Sequence, residues 1–156
     1  MANFQTIVMR PGTLEIALCA KWRLEAFGDV LANSLEDEIL RLEAFTAEQT
    51  QQVSLIARYD GVPAGTCLLT PKELEPCHPV SPWLAGLYVV PEFRRLGIGK
   101  MLIRDIEDQA RQRGNTRLYL YADDAIEYYE GLDWQVVERT LWKDFPMALM
   151  ARDLRA

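Results

Sequence analysis

Residues 91–100 are the stretch best suited to chemistry, because Gly97 and Gly99 stand there between an apolar run and a helical pattern. A glycine turn between a strand and a helix directs unpaired backbone N–H groups, and the positive end of the helix dipole, at one point. Such a point binds phosphate. Residues 91–120 hold seven Lys or Arg against four Asp or Glu, in a chain of net charge −6. Basic charge is therefore concentrated around a predicted anion site.

Two familiar phosphate-binding loops do not fit this turn. A Walker loop would need glycine at position 94 and Ser or Thr at position 101, where the chain has Arg94 and Met101. The dinucleotide fingerprint would need a third glycine at position 102, where Leu102 stands. By itself the turn is also compatible with a solvated helix face that uses glycine for tight packing. The surrounding elements must decide.

The turn matches another motif, RxxGxG, which residues 94–99 spell directly after the run LYVVPE of residues 87–92. This pattern resembles the coenzyme-A-binding motif of the GNAT superfamily, the Gcn5-related N-acetyltransferases. Further along, residues 125–134 (AIEYYEGLDW) are similar to the family's A-x-x-F-Y-E-x-L-G-F segment. The resemblance covers residues 83–140, and the order of predicted elements before them also fits the family.

The resemblance implies an acetyl-CoA site. The backbone of residues 87–89 would pair with the pantetheine arm as an extra strand and offer an N–H to the thioester carbonyl, while N–H groups of residues 95–100 would hold the pyrophosphate. A splayed strand edge has free donors and acceptors for an amide-rich arm, and a fixed N–H stabilises a developing oxyanion. The cofactor-binding residues implied are Leu87, Tyr88, Val89, Arg94, Arg95, Leu96, Gly97, Ile98, Gly99 and Lys100.

Acetyl transfer to an amine also needs an acid that protonates the departing thiolate. The resemblance assigns this catalytic role to Tyr129, in the segment that matches F-Y-E. Tyr128 takes the aromatic position before it and is expected in the core. Packing of Tyr129 on the sheet as a helix-face aromatic is the alternative.

Three features depart from the family pattern. Ala122 stands where the family has an asparagine that often contacts the cofactor, and Asp133 replaces a glycine. The strand at residues 83–90 has no Asp or Glu, so the carboxylate base that some members carry there is missing. A water chain to solvent could replace it. The carboxylates that remain as candidate bases are Glu92, Asp123 and Asp124, although the two aspartates are favoured as N-caps of the next helix.

The acceptor amine is less visible than the donor. Residues 34–48 carry five acids and only Arg41, which would attract a cationic amine if this helix lines the cleft, although a solvated acidic face is the simpler interpretation. Trp142 and Lys143, on a predicted loop between the last two strands, are further candidates for acceptor contact. The acceptor stays open between a small polyamine-like or aminoglycoside-like molecule and a lysine or N-terminal amine of a peptide.

Whole-chain composition limits the class of protein. At 156 residues and 49% hydrophobic, the chain is expected to form a single domain over residues 1–156. The net charge of −6 disfavours nucleic-acid binding. With no basic leader and no apolar window near the ~20 residues of a membrane span, we expect a cytoplasmic protein without membrane contact. Three cysteines without a CxxC pair, and His78 as the one histidine, predict reduced thiols and no metal site.

The periodicity of the chain alternates between strands and helices. It predicts, in order, a strand at 6–9, helices at 14–27 and 35–46, strands at 52–59 and 63–70 joined at Asp60-Gly61, a proline-rich loop at 71–82, a strand at 83–90, a helix with Ile98, Leu102, Ile103, Ile106 and Ala110 on one side, a strand at 117–121, a helix at 123–130, and strands at 135–140 and 147–151. A strand-helix-strand crossover makes residues 83–90 and 116–121 parallel, whereas hairpins are antiparallel. The predicted fold class is α/β with a mixed, mostly antiparallel sheet flanked by helices. The resemblance adds that the two parallel strands splay apart.

These observations predict an N-acetyltransferase that moves an acetyl group from acetyl-CoA, its cosubstrate, to a primary amine by direct attack in a ternary complex, without a metal. The alternative is a non-catalytic acyl-CoA-binding or sensing domain, suggested by Ala122 and by the missing strand carboxylate. A nucleotide-binding module would require the glycine turn to prefer ATP or a dinucleotide. A homodimer is implied by the resemblance only.

Overall fold

The computed structural model describes residues 3–31, 34–73, 78–142 and 144–155. The described elements are β1 (Phe4–Val8), α1 (Ile16–Leu31), α2 (Leu35–Ala47), β2 (Val53–Tyr59), β3 (Val62–Thr70), β4 (Trp83–Val89), a 3-10 turn (Pro91–Phe93), α3 (Ile98–Gln112), β5 (Arg117–Ala122), α4 (Ile126–Glu130), β6 (Gln135–Trp142) and β7 (Phe145–Asp153). The strands form one sheet in the order β1-β2-β3-β4-β5-β7-β6. Only the β4–β5 pair is parallel in the described sheet, which confirms the predicted mixed fold class.

Local sequence explains how several elements turn and begin. β2 and β3 meet at Asp60 and Gly61, whose φ angles of 50° and 81° are those a two-residue hairpin turn needs. α2 begins after Ser34, whose hydroxyl accepts a hydrogen bond from the Asp37 N–H at 3.1 Å. Asn33, the neighbouring cap candidate, lies outside the described residues. The hairpin and the α2 cap follow the sequence prediction.

Helices cover both faces of the sheet. The five α3 residues predicted to share one side are all buried, against core residues of β2, β3, β4, β5 and β7. Alternate residues of β2 point to opposite faces, so Leu55 and Ala57 belong to this core while Ile56 joins a second one. The second core is formed with α1 and α2 and includes Ile16, Cys19, Trp22 and Leu42.

Some boundaries differ from the sequence prediction. β6 and β7 continue until Trp142 pairs with Phe145, so Trp142 ends a strand instead of lying in a loop. α4 is shorter than expected, and its N-cap is Ala125 without a side-chain cap bond, so the predicted aspartate caps are wrong. α1 extends to Leu31, but its helical path breaks at Phe27, with φ −129° and ψ 20°, where the predicted helix ends.

β4 and β5 are joined at a single point. Trp83 is opposite Tyr119, and the Tyr119 N–H donates to the Pro82 carbonyl at 3.1 Å. No further β4–β5 pairing occurs in the described sheet, which shows that the two strands diverge past this point. The sheet therefore consists of a four-stranded half, β1 to β4, and a three-stranded half, β5 to β7, with a gap between them.

A buried carboxylate on α3 joins this helix to the three-stranded half of the sheet. Glu107, 1% exposed, accepts hydrogen bonds from Arg104 Nη1 at 3.0 Å and from Trp134 Nε1 at 3.2 Å. Arg152 of β7 lies 3.6 Å from the same carboxylate. Burying a charge is costly unless it is paired and hydrogen-bonded, and these partners satisfy that condition. None of the described helices is long and apolar enough to cross a bilayer.

Candidate active site

A cleft of about 510 Å³ opens where β4 and β5 diverge. Its apolar wall consists of Phe27, Leu42, Phe45, Leu68, Leu84, Ala85, Gly86, Leu87, Leu120 and Met147. Its polar and charged lining consists of Arg23, Arg41, Thr70, Lys72, Glu73, Tyr121 and Tyr129. Apolar walls with a few convergent polar groups are typical of a small-molecule site.

β4 presents a free backbone edge to this cleft. Residues 84–89 pair with β3 on one side and have no strand partner on the β5 side in the described sheet. The strand also bulges, because Gly86 and Leu87 both stand opposite Cys67, and Gly86 has a φ of 62°. A bulge re-aims the backbone groups around it. The predicted pantetheine-binding run 87–89 therefore begins in the cleft, at Leu87, and leads along the free edge toward the glycine turn.

The glycine turn follows β4 after one 3-10 turn. Arg95 and Gly97 have φ angles of 65° and 88°, and α3 begins at the next residue with no acid in its first turn. The first N–H groups of a helix have no acceptor within the helix, and the dipole there favours an anion. Arg94 ties the turn to the strand, since its Nε donates to the Val89 carbonyl at 2.9 Å. A Cβ on Gly99 would lie 3.7 Å from Val89 Cγ2. The backbone of the predicted cofactor residues thus runs without a break from the strand edge to the helix N-terminus, while the side chain of Ile98 is buried in the core.

The two tyrosines of α4 have different surroundings. Tyr129 is 9% exposed and lines the cleft, and burial raises the pKa of its phenol well above the ordinary value. The phenol is therefore protonated at every physiological pH. Tyr128 is 47% exposed, so the expectation that it belongs to the core is wrong. Its hydroxyl lies 3.4 Å from the position of a Cβ on Gly99, at the glycine turn.

Charged groups from α1, α2 and the segment after β3 meet in the cleft. Arg23 Nε lies 3.4 Å and Arg41 Nε 3.3 Å from the same Glu38 oxygen, and Glu38 is fully buried. Glu73 lies near both arginines. Burial raises the pKa of Glu73 to about 7, and the two arginines limit that rise. A carboxyl that titrates near neutral pH is suited to general-base work.

α2 therefore lines the cleft, but not with its acids. It contributes Arg41, Leu42 and Phe45 to the lining. Glu38 is not part of the lining and forms ion pairs with Arg23 and Arg41. Glu43 accepts a hydrogen bond from the Gly12 N–H at 3.1 Å, away from the cleft lining. The idea that the acids of residues 34–48 attract a cationic amine is wrong for this cleft.

A hydrogen-bonded chain leads from the cleft to the surface. The Tyr121 hydroxyl bonds to His78 Nδ1 and accepts from the His78 backbone N–H at 3.3 Å. His78 Nε2 lies 2.5 Å from Glu138 Oε2, on an exposed side chain. In the described residues no three His, Cys, Asp or Glu side chains gather as metal ligands would. Cys77 lies outside those residues, and the other two cysteines, Cys19 and Cys67, are buried free thiols.

The candidate bases from the sequence lie outside the cleft lining. Glu92 is exposed in the 3-10 turn. Asp123 lies in a neighbouring depression, and the hydrogen bond from the Asp124 N–H at 2.6 Å holds the pKa of its carboxyl below the usual range, which weakens it as a base. Asp124 is exposed. Trp142 is at the far end of the β6–β7 hairpin, and Lys143 lies outside the described residues.

Sequence reasoning missed Arg23, Glu73 and Tyr121, and it considered His78 only as a metal ligand. The signal for Arg23 was its position between apolar residues of a predicted helix, because an arginine is rarely fully buried unless its charge is paired. Glu73 sits in a proline-rich loop where nothing in the spacing distinguishes it. Tyr121 and His78 are joined across 43 positions, a pairing that only the fold creates.

Comparisons with known proteins agree with this geometry. The chain matches the Acetyltransferase (GNAT) family over residues 17–134. Among solved structures, an aminoglycoside 6'-N-acetyltransferase complexed with coenzyme A is 14% identical, with a TM-score of 0.76 over 97% of this chain and 98% of that one. The aminoglycoside 6'-N-acetyltransferase from Enterococcus faecium is 16% identical, with a TM-score of 0.75 over 97% and 98%. YncA from Salmonella typhimurium, solved with its cofactor acetyl-CoA, is 14% identical, with a TM-score of 0.74 over 97% and 94%.

No curated protein matches the chain in sequence. The structural likenesses, all at low identity, show the fold. The family match spans more than half of the chain and includes both the RxxGxG turn and the segment that holds Tyr129. The chain therefore belongs to the GNAT acetyltransferase family.

Proposed function

We propose that this protein transfers an acetyl group from acetyl-CoA to the primary amine of a small molecule. The observation that carries the proposal is the free edge of β4, which runs from a mostly apolar cleft with a few polar groups to a helix N-terminus without acids. A thioester with an amide-rich arm and a pyrophosphate needs those features in that order. The aminoglycoside acetyltransferases among the structural relatives support a small-molecule amine as acceptor.

The residues present fit acetyl-CoA. Backbone groups of Leu87–Val89 would bind the pantetheine arm, and the N–H groups of residues 95–100 would bind the pyrophosphate. The exposed side chain of Lys100 adds positive charge beside that turn. Ala122 removes a side-chain contact but leaves this backbone edge intact, since it belongs to β5. Binding at this site therefore relies on backbone groups, which are present whether residue 122 is alanine or the family's asparagine.

The chain's own groups supply what the transfer needs. When bound, acetyl-CoA supplies an acetyl group activated as a thioester. A β4 N–H near Leu87 polarises the carbonyl, and Glu73 accepts the proton of the attacking amine. The new C–N bond forms as the C–S bond breaks, and the sulfur leaves as a thiolate. Tyr129 donates a hydrogen bond to that sulfur; because its pKa is raised, it stabilises the thiolate and keeps its own proton.

Calorimetric titration tests the donor first. We expect saturable binding of acetyl-CoA by the purified protein, and no saturable binding of ATP or NAD on the same preparation. Release of free CoA thiol, dependent on added amine, then tests transfer. Acetyl-CoA binding without turnover of any amine would favour the acyl-CoA sensor instead, and nucleotide binding without acetyl-CoA binding would overturn the assignment of the cleft.

A further inference from the structure

Arg23 is an unusual feature of the cleft wall. It comes from the apolar face of α1, is 5% exposed, and lines the cleft. Its guanidinium lies against β4 in the space that a side chain on Gly86 would fill, so the glycine makes room for it. Within the described residues, Nη1 of this guanidinium is buried without a hydrogen-bond partner. A buried, unmatched donor on a cation is costly, which suggests that a ligand completes its hydrogen bonding.

The charges around Arg23 are not balanced. Arg41 and Lys72 also line the cleft, so three cations face two carboxylates, Glu38 and Glu73. A single Glu38 oxygen is shared between the two arginines, at 3.3 and 3.4 Å, both long for charged hydrogen bonds. By formal charge the cluster therefore holds one more cation than carboxylate, and Glu38 Oε2, like Arg23 Nη1, is buried without a hydrogen-bond partner among the described residues. Burial also lowers the pKa of Arg23, and Arg41 adds to this shift, while Glu38 and Glu73 oppose it.

We propose that the acceptor is an amine that also carries a carboxylate, in the class of free α-amino acids with an apolar side chain. Arg23 and Arg41 bind the carboxylate, and the apolar wall of Phe27, Leu42 and Phe45 takes the side chain. Glu73, in the same cleft, faces the amine. The proposal rests on the acetyltransferase function proposed above and names its substrate class.

The same charges disfavour a polycation. An aminoglycoside would bring several ammonium groups against three cationic side chains, and like charges at close range in a partly closed site are costly. The relatives that act on aminoglycosides share the fold with this chain at 14% to 17% identity, which leaves the acceptor wall free to differ. Leucine, leucinamide, 3-methylbutylamine and kanamycin form a test series: the second lacks the carboxylate charge, the third lacks the carbonyl group as well, and the fourth carries several ammonium groups.

The experiment compares kcat/KM for the four amines, measured by CoA thiol release. We expect kcat/KM for leucine to exceed that for leucinamide and for 3-methylbutylamine at least tenfold, because only leucine offers a carboxylate for charge-assisted hydrogen bonds to the arginines. Kanamycin should be the poorest. A second readout is calorimetric binding of leucine, but not of 3-methylbutylamine, to the protein saturated with CoA.

Substitutions then locate the carboxylate site. Arg41→Met should lower kcat/KM for leucine about tenfold more than for leucinamide, whereas Lys21→Met, an exposed cation on α1, should change neither. Arg23→Met should remove the preference for leucine, provided that its thermal melt shows a folded protein; Arg41→Met, at a half-exposed position, keeps the test valid if Arg23→Met does not fold.

The outcomes separate this proposal from the broader one. Equal or faster turnover of 3-methylbutylamine or kanamycin overturns the amino-acid class and leaves the acetyltransferase function standing. An unchanged leucine preference in folded Arg23→Met and in Arg41→Met overturns the assigned residues. Binding of acetyl-CoA without turnover of any amine overturns the acetyltransferase proposal, and the acceptor class with it.

Discussion

Tyr129 is the residue whose loss should separate chemistry from binding. Its ring is packed against Trp134, with centroids 6.0 Å apart, and should keep its place when the hydroxyl is removed. We expect Tyr129→Phe to lower kcat about 10²-fold without changing the affinity for acetyl-CoA, because the lost hydrogen bond is made to the departing sulfur. An assay of CoA thiol release measures kcat, and calorimetric titration of the same variant measures its affinity for acetyl-CoA.

Tyr128→Phe is the matched control for this substitution. It removes a hydroxyl one residue away that lies at the glycine turn, so any effect should appear in acetyl-CoA affinity instead of in kcat. Equal loss of kcat in both variants would contradict the role given to Tyr129. Loss of acetyl-CoA binding in Tyr129→Phe would make it a binding residue.

Glu73 should control the pH dependence of the reaction. Its carboxyl accepts a proton only when ionised, and its pKa is about 7. The fraction of neutral amine also rises with pH until the amine's own pKa is reached. The logarithm of kcat/KM should therefore rise with a slope of about 2 below pH 7 and about 1 above it. In Glu73→Gln the break near pH 7 should disappear, while Asp123→Asn should retain it.

The surroundings of Glu73 make this break specific. The other ionisable groups that line the cleft are Arg23, Arg41, Lys72, Tyr121 and Tyr129. None of these side chains is a carboxyl or an imidazole, the kinds of group whose ordinary pKa values lie closest to neutral pH. The alternative proton acceptor is the His78 chain, so a break that survives in Glu73→Gln and vanishes in His78→Gln would move the base to Tyr121 and His78.

The glycine turn is contiguous in sequence, so a turn at Gly97 followed by a helix N-terminus could be predicted from residues 94–100, whereas the positive φ of Arg95 could not. Its role in cofactor binding stays a prediction. Arg23 and Glu73 are 50 positions apart and meet only because α1 and the segment after β3 converge on one cleft. No spacing rule reaches across that distance.

At the scale of elements, the contact between β3 and β4 depends on Gly65. A Cβ there would lie 2.7 Å from the Tyr88 carbonyl oxygen and 3.3 Å from Leu102 Cδ1, so the strand or α3 would have to move. We expect Gly65→Ala to lower the free energy of unfolding by about 1–3 kcal/mol, as overpacking does. Urea unfolding followed by circular dichroism measures the change.

Gly28→Ala supplies the comparison for this variant. A Cβ on Gly28 would meet no atom within 4 Å, and the residue sits in α1, where alanine is the better helix former. The free energy of unfolding of this variant should stay constant or increase. A Gly65→Ala protein as stable as Gly28→Ala would show that β3 and β4 tolerate separation.

Element order was predictable because periodicity and turns carry it. The hairpin at Asp60-Gly61 and the apolar side of α3 are local patterns, and both were found. The ends of β6 and β7 were harder to predict. The two strands pair with each other from Gln135 to Trp142, and cross-strand pairing cannot be predicted from the sequence of either strand alone. The bulge at Gly86 was likewise invisible in an apolar run.

At the scale of the whole molecule, Glu107 should be a stability determinant far from the cleft. Removing its carboxylate leaves Arg104 and Arg152 without their buried counter-charge. We expect Glu107→Ala to lower the free energy of unfolding by about 3–5 kcal/mol. Asp108→Ala, which removes an exposed carboxylate paired with Arg111 on the same helix, should cost under about 1 kcal/mol. Chemical denaturation of both variants makes the comparison, and similar losses would contradict the role of Glu107.

The single point of pairing between β4 and β5 also shapes how the protein opens. The amide protons of β4 that face the gap lack the partner that slows exchange with solvent, although they sit in the middle of a seven-stranded sheet. Hydrogen exchange should therefore find a fast-exchanging line through the centre of the fold, a region that is normally the slowest. A ligand that occupies the gap would slow exchange along that line and would couple the unfolding of the two half-sheets into one cooperative step.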